Sequence, residues 1–119
     1  MSKTILIADD DATIMKLFSL SVDDADIAIH SAGSGEETIA MIERSKPDLL
    51  VLDIRMPKGD GLSVLEHLKK SNNTVPVVIL TNYRNDQYVQ TCTHFGVKDY
   101  IVKHEHRIDR IIEKVSAYL

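Results

Sequence analysis

Apolar residues gather in five short runs, at residues 5–8, 27–29, 49–54, 77–80 and 100–102. Runs this short that are apolar throughout predict strands of a parallel sheet covered on both faces. Between them apolar side chains return at helical spacing. The first helix carries Ile14, Leu17, Phe18 and Val22, and the second carries Ile39, Ile42 and Met41. A third carries Leu62, Leu65 and Leu68, and a fourth Tyr88, Cys92 and Phe95. The last, Ile108, Ile111, Ile112, Val115 and Leu119, is close to an ideal amphipathic stripe. Ser34 and Glu37 have the spacing of a capping box at the second helix.

Strand followed by helix, five times over, predicts an α/β fold: a five-stranded parallel sheet with right-handed crossovers and helices on both faces. The order 2-1-3-4-5 is a common doubly wound arrangement for such a chain. A length of 119 residues, with no linker or low-complexity stretch, predicts a single domain over residues 1–119.

Composition narrows the class. With 44% hydrophobic and 27% charged residues, and only 5 Gly and 3 Pro, neither a disordered nor a fibrous chain is expected. A net charge of -4 with scattered Lys and Arg argues against direct contact with a nucleic-acid backbone. The apolar runs are too short to span a bilayer or act as a secretory signal, which predicts a cytoplasmic protein with no membrane partner. Cys92 is the one cysteine, so no intrachain disulfide can form, and its apolar neighbours predict an inert core position.

The chemistry lies where the strands end. The first runs into Asp9, Asp10 and Asp11, the third into Asp53, the fourth into Thr81 and the fifth into Lys103. In open α/β sheets the functional crevice lies beyond these carboxyl ends, at the point where strand order reverses. The order 2-1-3-4-5 makes the first and third strands neighbours, so Asp9, Asp10 and Asp53 converge. Like charges about 4 Å apart cost roughly 1 kcal/mol per pair in water and more in a protein, so the cluster calls for a cation. All-oxygen ligands select a hard ion, Mg²⁺ above all. A metal held by carboxylates beside phosphate oxygens is a site for phosphoryl transfer, with Asp53 as the nucleophile that forms an aspartyl phosphate. Lys103 would offset charge from the opposite wall, and the Thr81 hydroxyl would bond a phosphoryl oxygen. Asp11 is better suited to capping the first helix.

Taken together, Asp9-Asp10 after the first strand, Asp53 within LDIRMPKGDGL, Thr81 after VVIL, and GVKDYIVK at residues 96–103 resemble the receiver domain of two-component response regulators over essentially the whole chain. The resemblance implies that Asp53 accepts a phosphoryl group from a phosphohistidine on a sensor histidine kinase or phosphotransfer protein. It implies a signalling domain that promotes its own phosphorylation and dephosphorylation, not an enzyme acting on a separate substrate. Asp10 and Asp53 would ligate Mg²⁺, Asp9 would act through metal-bound water, and the backbone carbonyl of Arg55 would complete the protein ligands. Thr81 and Lys103 would bind phosphoryl oxygens, and Tyr100 matches an aromatic position that changes rotamer as the threonine moves. The output face would be the fourth helix, fifth strand and fifth helix, acting on a downstream protein, an output domain, or a second copy in a phosphorylation-dependent homodimer.

Several positions depart from that pattern. His104 stands where the family usually has a proline, often after a cis bond; a cis bond before a non-proline residue costs about 3 to 4 kcal/mol, so trans geometry or a strained loop is expected. Asn82 stands where Ala or Gly is commoner and would narrow access to Asp53. Arg55 and Tyr83 occupy two variable flanking positions, where they would either shield an acyl phosphate from water or point into solvent. The histidines at 30, 67, 94, 104 and 106, including the pair His104 and His106, are expected to be solvated side chains.

Two other functions compete. Asp9-x-Asp11-x-Thr13 also fits the DxDx(T/V) signature of haloacid dehalogenase phosphatases, in which Asp9 would be the nucleophile. Against it, helical periodicity starts at Ile14 and leaves no room for that family's hairpin flap. A flavodoxin-type nucleotide module would share the fold, but its phosphate loop should be rich in Ser, Thr and Gly, and three acids would repel the phosphate.

Overall fold

The computed structural model describes residues 2–22 and 26–119. The elements follow in the order β1 (Lys3–Ala8), α1 (Ala12–Ser21), β2 (Ile27–Ala32), α2 (Gly35–Ser45), β3 (Leu49–Leu52), α3 (Gly61–Lys70), β4 (Val77–Thr81), α4 (Asp86–His94), β5 (Asp99–Val102) and α5 (Ile108–Ser116), with a 3-10 turn at Lys103–Glu105. The sheet has the predicted order, β2-β1-β3-β4-β5, and every pairing is parallel.

The unbroken apolar runs have their reason in the packing. Alternate residues of each central strand face two separate cores. Leu6, Ala8, Leu50, Leu52 and Ile79 pack under α2, α3 and α4 with Ile42, Val64, Leu65, Leu68 and Cys92. Ile5, Ile7, Val51, Val78 and Leu80 pack under α1 and α5 with Ile14, Phe18, Ile111 and Val115. Along Ile5–Ala8, Leu49–Leu52 and Val77–Leu80 no face is left for water, and polar residues of these strands stand only at their ends, at Lys3, Thr4 and Thr81.

At their carboxyl ends, two strands differ from expectation by more than one residue. β2 continues through His30 and Ser31 to Ala32, because an edge strand tolerates partly exposed polar side chains. The third run ends as a strand at Leu52, and Ile54 belongs to the loop beyond it, where it is buried and its carbonyl accepts the Gly61 N–H at 2.7 Å. Side chains cap four helices: Asp11, Ser34, Asp60 and Asn85 accept from the N–H of Thr13, Glu37, Ser63 and Tyr88 respectively. Ser34 thus forms its half of the capping box, and Asp11 is the cap foreseen for it. Among the described residues, no helix is long and apolar enough to cross a membrane.

Candidate functional site

Adjacent strands place the acids level with each other. β1 and β3 pair with Ala8 opposite Leu52, and the next N–H groups carry the register on: Asp9 donates to Ala32 and Asp53 donates to Ala8, each at 2.9 Å. Ligand oxygens of Asp9, Asp10 and Asp53 lie within 4.8 Å of one another. Asp9 and Asp53 are buried and Asp10 is exposed. An all-carboxylate donor set of this kind suits a hard divalent cation, Mg²⁺ among them.

Each buried carboxylate is held at both oxygens. Asp9 Oδ1 accepts the Asp11 N–H at 2.9 Å, and Asp53 Oδ1 accepts the Arg55 N–H at 3.3 Å. Their Oδ2 atoms face Lys103, whose Nζ lies 2.5 Å from Asp9 and 3.4 Å from Asp53. Burial lifts the Asp9 carboxyl above the usual carboxylate range, an effect that the Lys103 ammonium and the Asp11 N–H only partly reverse. Burial also works against the Lys103 charge, but the combined pull of Asp9 and Asp53 outweighs it and holds the lysine above its ordinary value. The lysine therefore stays an ammonium at neutral pH. Asp11 sits outside this group, its carboxyl held below the usual range by the Thr13 N–H that it caps.

Thr81 ends β4, fully buried, and its Oγ1 accepts the Tyr83 N–H at 3.3 Å. The Tyr83 carbonyl accepts the Tyr100 hydroxyl, so Tyr100, half-buried near the start of β5, is tied to the β4–α4 loop. Arg55 and Tyr83 are both exposed, yet they are not independent: the guanidinium carbon lies 4.6 Å from the ring centroid. Spacing alone gave no sign of this contact between two loops.

The loop after Lys103 takes the trans geometry expected of it, since no peptide bond among the described residues is cis. It forms the 3-10 turn, and the His104 ring reaches Asn82 Oδ1 at 3.4 Å while Glu105 pairs with Arg84 at 3.0 Å. His104 is exposed, as expected of it, though its ring meets Asn82, whereas His67 is half-buried, with Nε2 3.0 Å from Glu43, joining α3 to α2. Each ring had a polar neighbour brought close by tertiary packing.

Asp9, Asp10, Asp11, Asp53, Arg55, Asn82, Tyr83 and Lys103 line one cavity of about 230 Å³. All of the predicted strand-end groups line it except Thr81, which reaches it through Tyr83; Tyr100, the expected switch residue, is outside this lining. Immediately after Asp11 the chain enters α1, so no hairpin separates the DxD sequence from the first helix, as a dehalogenase-type flap would require.

A family model described as the response regulator receiver domain matches residues 5–116. Among curated relatives, a probable transcriptional regulator, ycf27, of Porphyridium aerugineum is 36% identical over 83% of this chain and 41% of its own length. The probable C4-dicarboxylate response regulator DctR of Bacillus subtilis is 31% identical over 98% of this chain and 51% of its own. The chain thus spans about half the length of such relatives. The crystal structure of the signal receiver domain of a LuxO repressor protein from Vibrio parahaemolyticus superposes with a TM-score of 0.89, at 25% identity, over 99% of this chain and 90% of that one. With the strand order and the acidic crevice already in place, these matches make the chain a member of the response regulator receiver family of two-component signalling.

Proposed function

We propose that residues 1–119 work as one receiver unit in which Asp53 accepts a phosphoryl group from a phosphohistidine on a kinase or phosphotransfer protein. The observation that carries this reading is the pair of buried carboxylates, Asp9 and Asp53, spanned by one ammonium and open to a cavity of about 230 Å³. In the transfer, an Asp53 carboxylate oxygen forms a bond to phosphorus as the P–N bond to the donor imidazole breaks, and the electron pair returns to that nitrogen.

Asp9, Asp10, Asp53 and the Arg55 carbonyl would hold Mg²⁺, which when bound offsets the negative charge of the acids and the phosphoryl oxygens. Lys103, already an ammonium beside both acids, exchanges carboxylate contacts for a phosphoryl oxygen. Thr81 supplies a hydroxyl from the neighbouring strand end. Its engagement withdraws the acceptor now used by the Tyr83 N–H, and Tyr83 is the residue that holds Tyr100. Occupancy of Asp53 is thereby read out at β5 and the flanking α4 and α5, for a protein target, an output domain or a second copy.

Intact-protein mass after incubation with Mg²⁺ and acetyl phosphate tests the reading. One Mg²⁺-dependent phosphoryl adduct, lost in Asp53→Asn, is expected. An adduct that survives Asp53→Asn but disappears in Asp9→Asn would transfer the nucleophile's role to Asp9.

A further inference from the structure

A separate cavity, of about 310 Å³, lies at the other end of the sheet, where α3 and α4 finish and β4 and β5 begin. Its apolar lining continues the core beneath these helices. Leu65, Leu68 and Val77 are buried there, and Phe95 and Val97, both half-buried, pack against them. The gap between the two helix ends is thus a place where that core opens to solvent.

The charge around the opening has one sign. Lys69 and Lys98 line the cavity with His94, and among the described residues no Asp or Glu does so. In a chain with 18 acidic and 14 basic side chains, this is a local reversal. Neither lysine has a carboxylate partner among the described residues. The Lys69 ammonium stands 5.7 Å from the centroid of the Phe95 ring, which keeps it at the cavity wall. Asp99, next in sequence to Lys98, is engaged elsewhere, with Oδ1 accepting the Tyr100 N–H and Oδ2 the Tyr118 hydroxyl.

Two helix carboxyl ends would ordinarily oppose a bound anion through their partial negative charge. Here their carbonyls already have partners. Those of Leu68 and Lys69 accept the N–H groups of Asn73 and Asn72, and those of Cys92 and Thr93 accept the N–H groups of Val97 and Gly96. What stays unpaired is the ammonium charge.

An apolar lining below two unpaired ammonium groups selects a molecule that carries both characters. An inorganic anion would leave the leucines and valines wet, and a neutral hydrocarbon would gain nothing from the lysines. The volume falls at the lower end of small-molecule sites, roughly 300–1,000 Å³. We infer that the cavity between α3 and α4 binds a small aromatic carboxylate, its ring against Phe95, Val97 and the two leucines and its carboxylate on Lys69 and Lys98. A ring–ring contact with Phe95 favours an aromatic body over an aliphatic one. Nothing in this site involves Asp53, so it stands apart from the acceptor role. An occupant would brace α4 against α3, and α4 belongs to the proposed output face, which would then answer to a second input.

Amide nitrogen–proton spectra of the full chain, titrated with 2-naphthoate at constant pH, test the site. Saturable shifts centred on Leu68, Phe95, Val97 and Lys98 are expected. Lys69→Gln and Lys98→Gln replace exposed side chains and should fold; each should weaken binding about two- to fivefold, the factor that an exposed ion pair contributes. Lys16→Gln, on α1, should leave the affinity unchanged. 2-Naphthamide, the same ring without the charge, should bind the parent more weakly than 2-naphthoate and should not distinguish the parent from either lysine variant at the cavity. Equal affinity of acid and amide for the parent would overturn the inference, as would an absence of saturable shifts or shifts confined to the crevice of Asp9, Asp53 and Lys103.

Discussion

Lys103 and Asp9 stand at the ends of β5 and β1, with β4 and β3 between them, and yet the ammonium lies 2.5 Å from the Asp9 carboxylate. One long side chain therefore crosses the mouth of the sheet to the acids that adjoining strands force together. Its side chain is mostly buried, 14% exposed, against Asp9 and Asp53 side chains that are 4% and 7% exposed. The cation that makes the run of aspartates tolerable is supplied, in this state, from within the chain.

If Mg²⁺ binds these carboxylates as proposed, it competes with Lys103 for them. Lys103→Ala should lower the unfolding free energy by roughly 1–3 kcal/mol, less than the roughly 3–5 of a fully enclosed pair, because these carboxylates open onto a cavity. Added Mg²⁺ should then stabilise the variant more than the parent, since the divalent ion no longer displaces an ammonium. Urea midpoints of both proteins with and without MgCl₂ measure this. Equal Mg²⁺ effects would mean that Lys103 and the metal do not share a site.

Gly61 sets the position of Asp53 from behind. A Cβ at Gly61 would come within 2.4 Å of the Asp53 carbonyl oxygen and 2.8 Å of Ile54 Cα, both backbone atoms that cannot swing aside. Gly61→Ala should cost about 1–3 kcal/mol by overpacking and shift the Asp53 carboxylate, so phosphorylation by acetyl phosphate slows as well. Gly33→Ala is the control, since nothing lies within 4 Å of its added carbon. Matching denaturation midpoints for the two variants would refute the close packing.

The central strands and the acids at their ends were legible because both follow from local pattern. The runs 5–8, 49–52 and 77–80 within β1, β3 and β4 are apolar throughout, and parallel register turns adjacent strand ends into adjacent residues. The edge was less legible: β2 runs on through His30 and Ser31, whose polarity reads as a strand end when only one neighbour covers it. Thr38 was missed altogether, buried because its hydroxyl donates to the Ser34 carbonyl inside α2, a bond that sequence polarity does not announce. Lys103 was recognisable as a strand-end cation, but not its seat on Asp9. The Arg55–Tyr83 stack joins two loops 28 positions apart, by their numbers, and no periodicity bears on it.

The ties from the β4–α4 loop to β5 and to the 3-10 turn after it should differ in weight. Arg84 and Glu105 pair at 3.0 Å with side chains 62% and 39% exposed, a geometry worth at most about 1 kcal/mol, so Arg84→Ala should barely move the unfolding midpoint. Tyr100→Phe removes the donor to the Tyr83 carbonyl and should cost about 0.5–1.5 kcal/mol. Hydrogen exchange at the Tyr83 amide provides the sharper reading, accelerating in Tyr100→Phe and remaining at the parent rate in Arg84→Ala.

Cys92 carries a pH signature of the core beneath α4. Burial pushes its thiol up from an ordinary 9.0 to about 11, and burial likewise pushes the Tyr100 phenol up to about 12. In the folded chain the thiol keeps its proton where the unfolded chain has begun to lose it, so the unfolded state binds fewer protons between about pH 9 and 11 and stability must fall as pH rises through that window. Below it the contribution is fully present. Urea midpoints stepped through this range should decline, and Cys92→Ala, whatever it costs at neutral pH, should flatten that part of the slope. Alkylation gives an independent check: at about pH 8 the folded chain should react slowly with iodoacetamide and the urea-unfolded chain readily, since only the latter exposes a partly ionised thiol. Rapid labelling of the folded chain would place Cys92 outside the core.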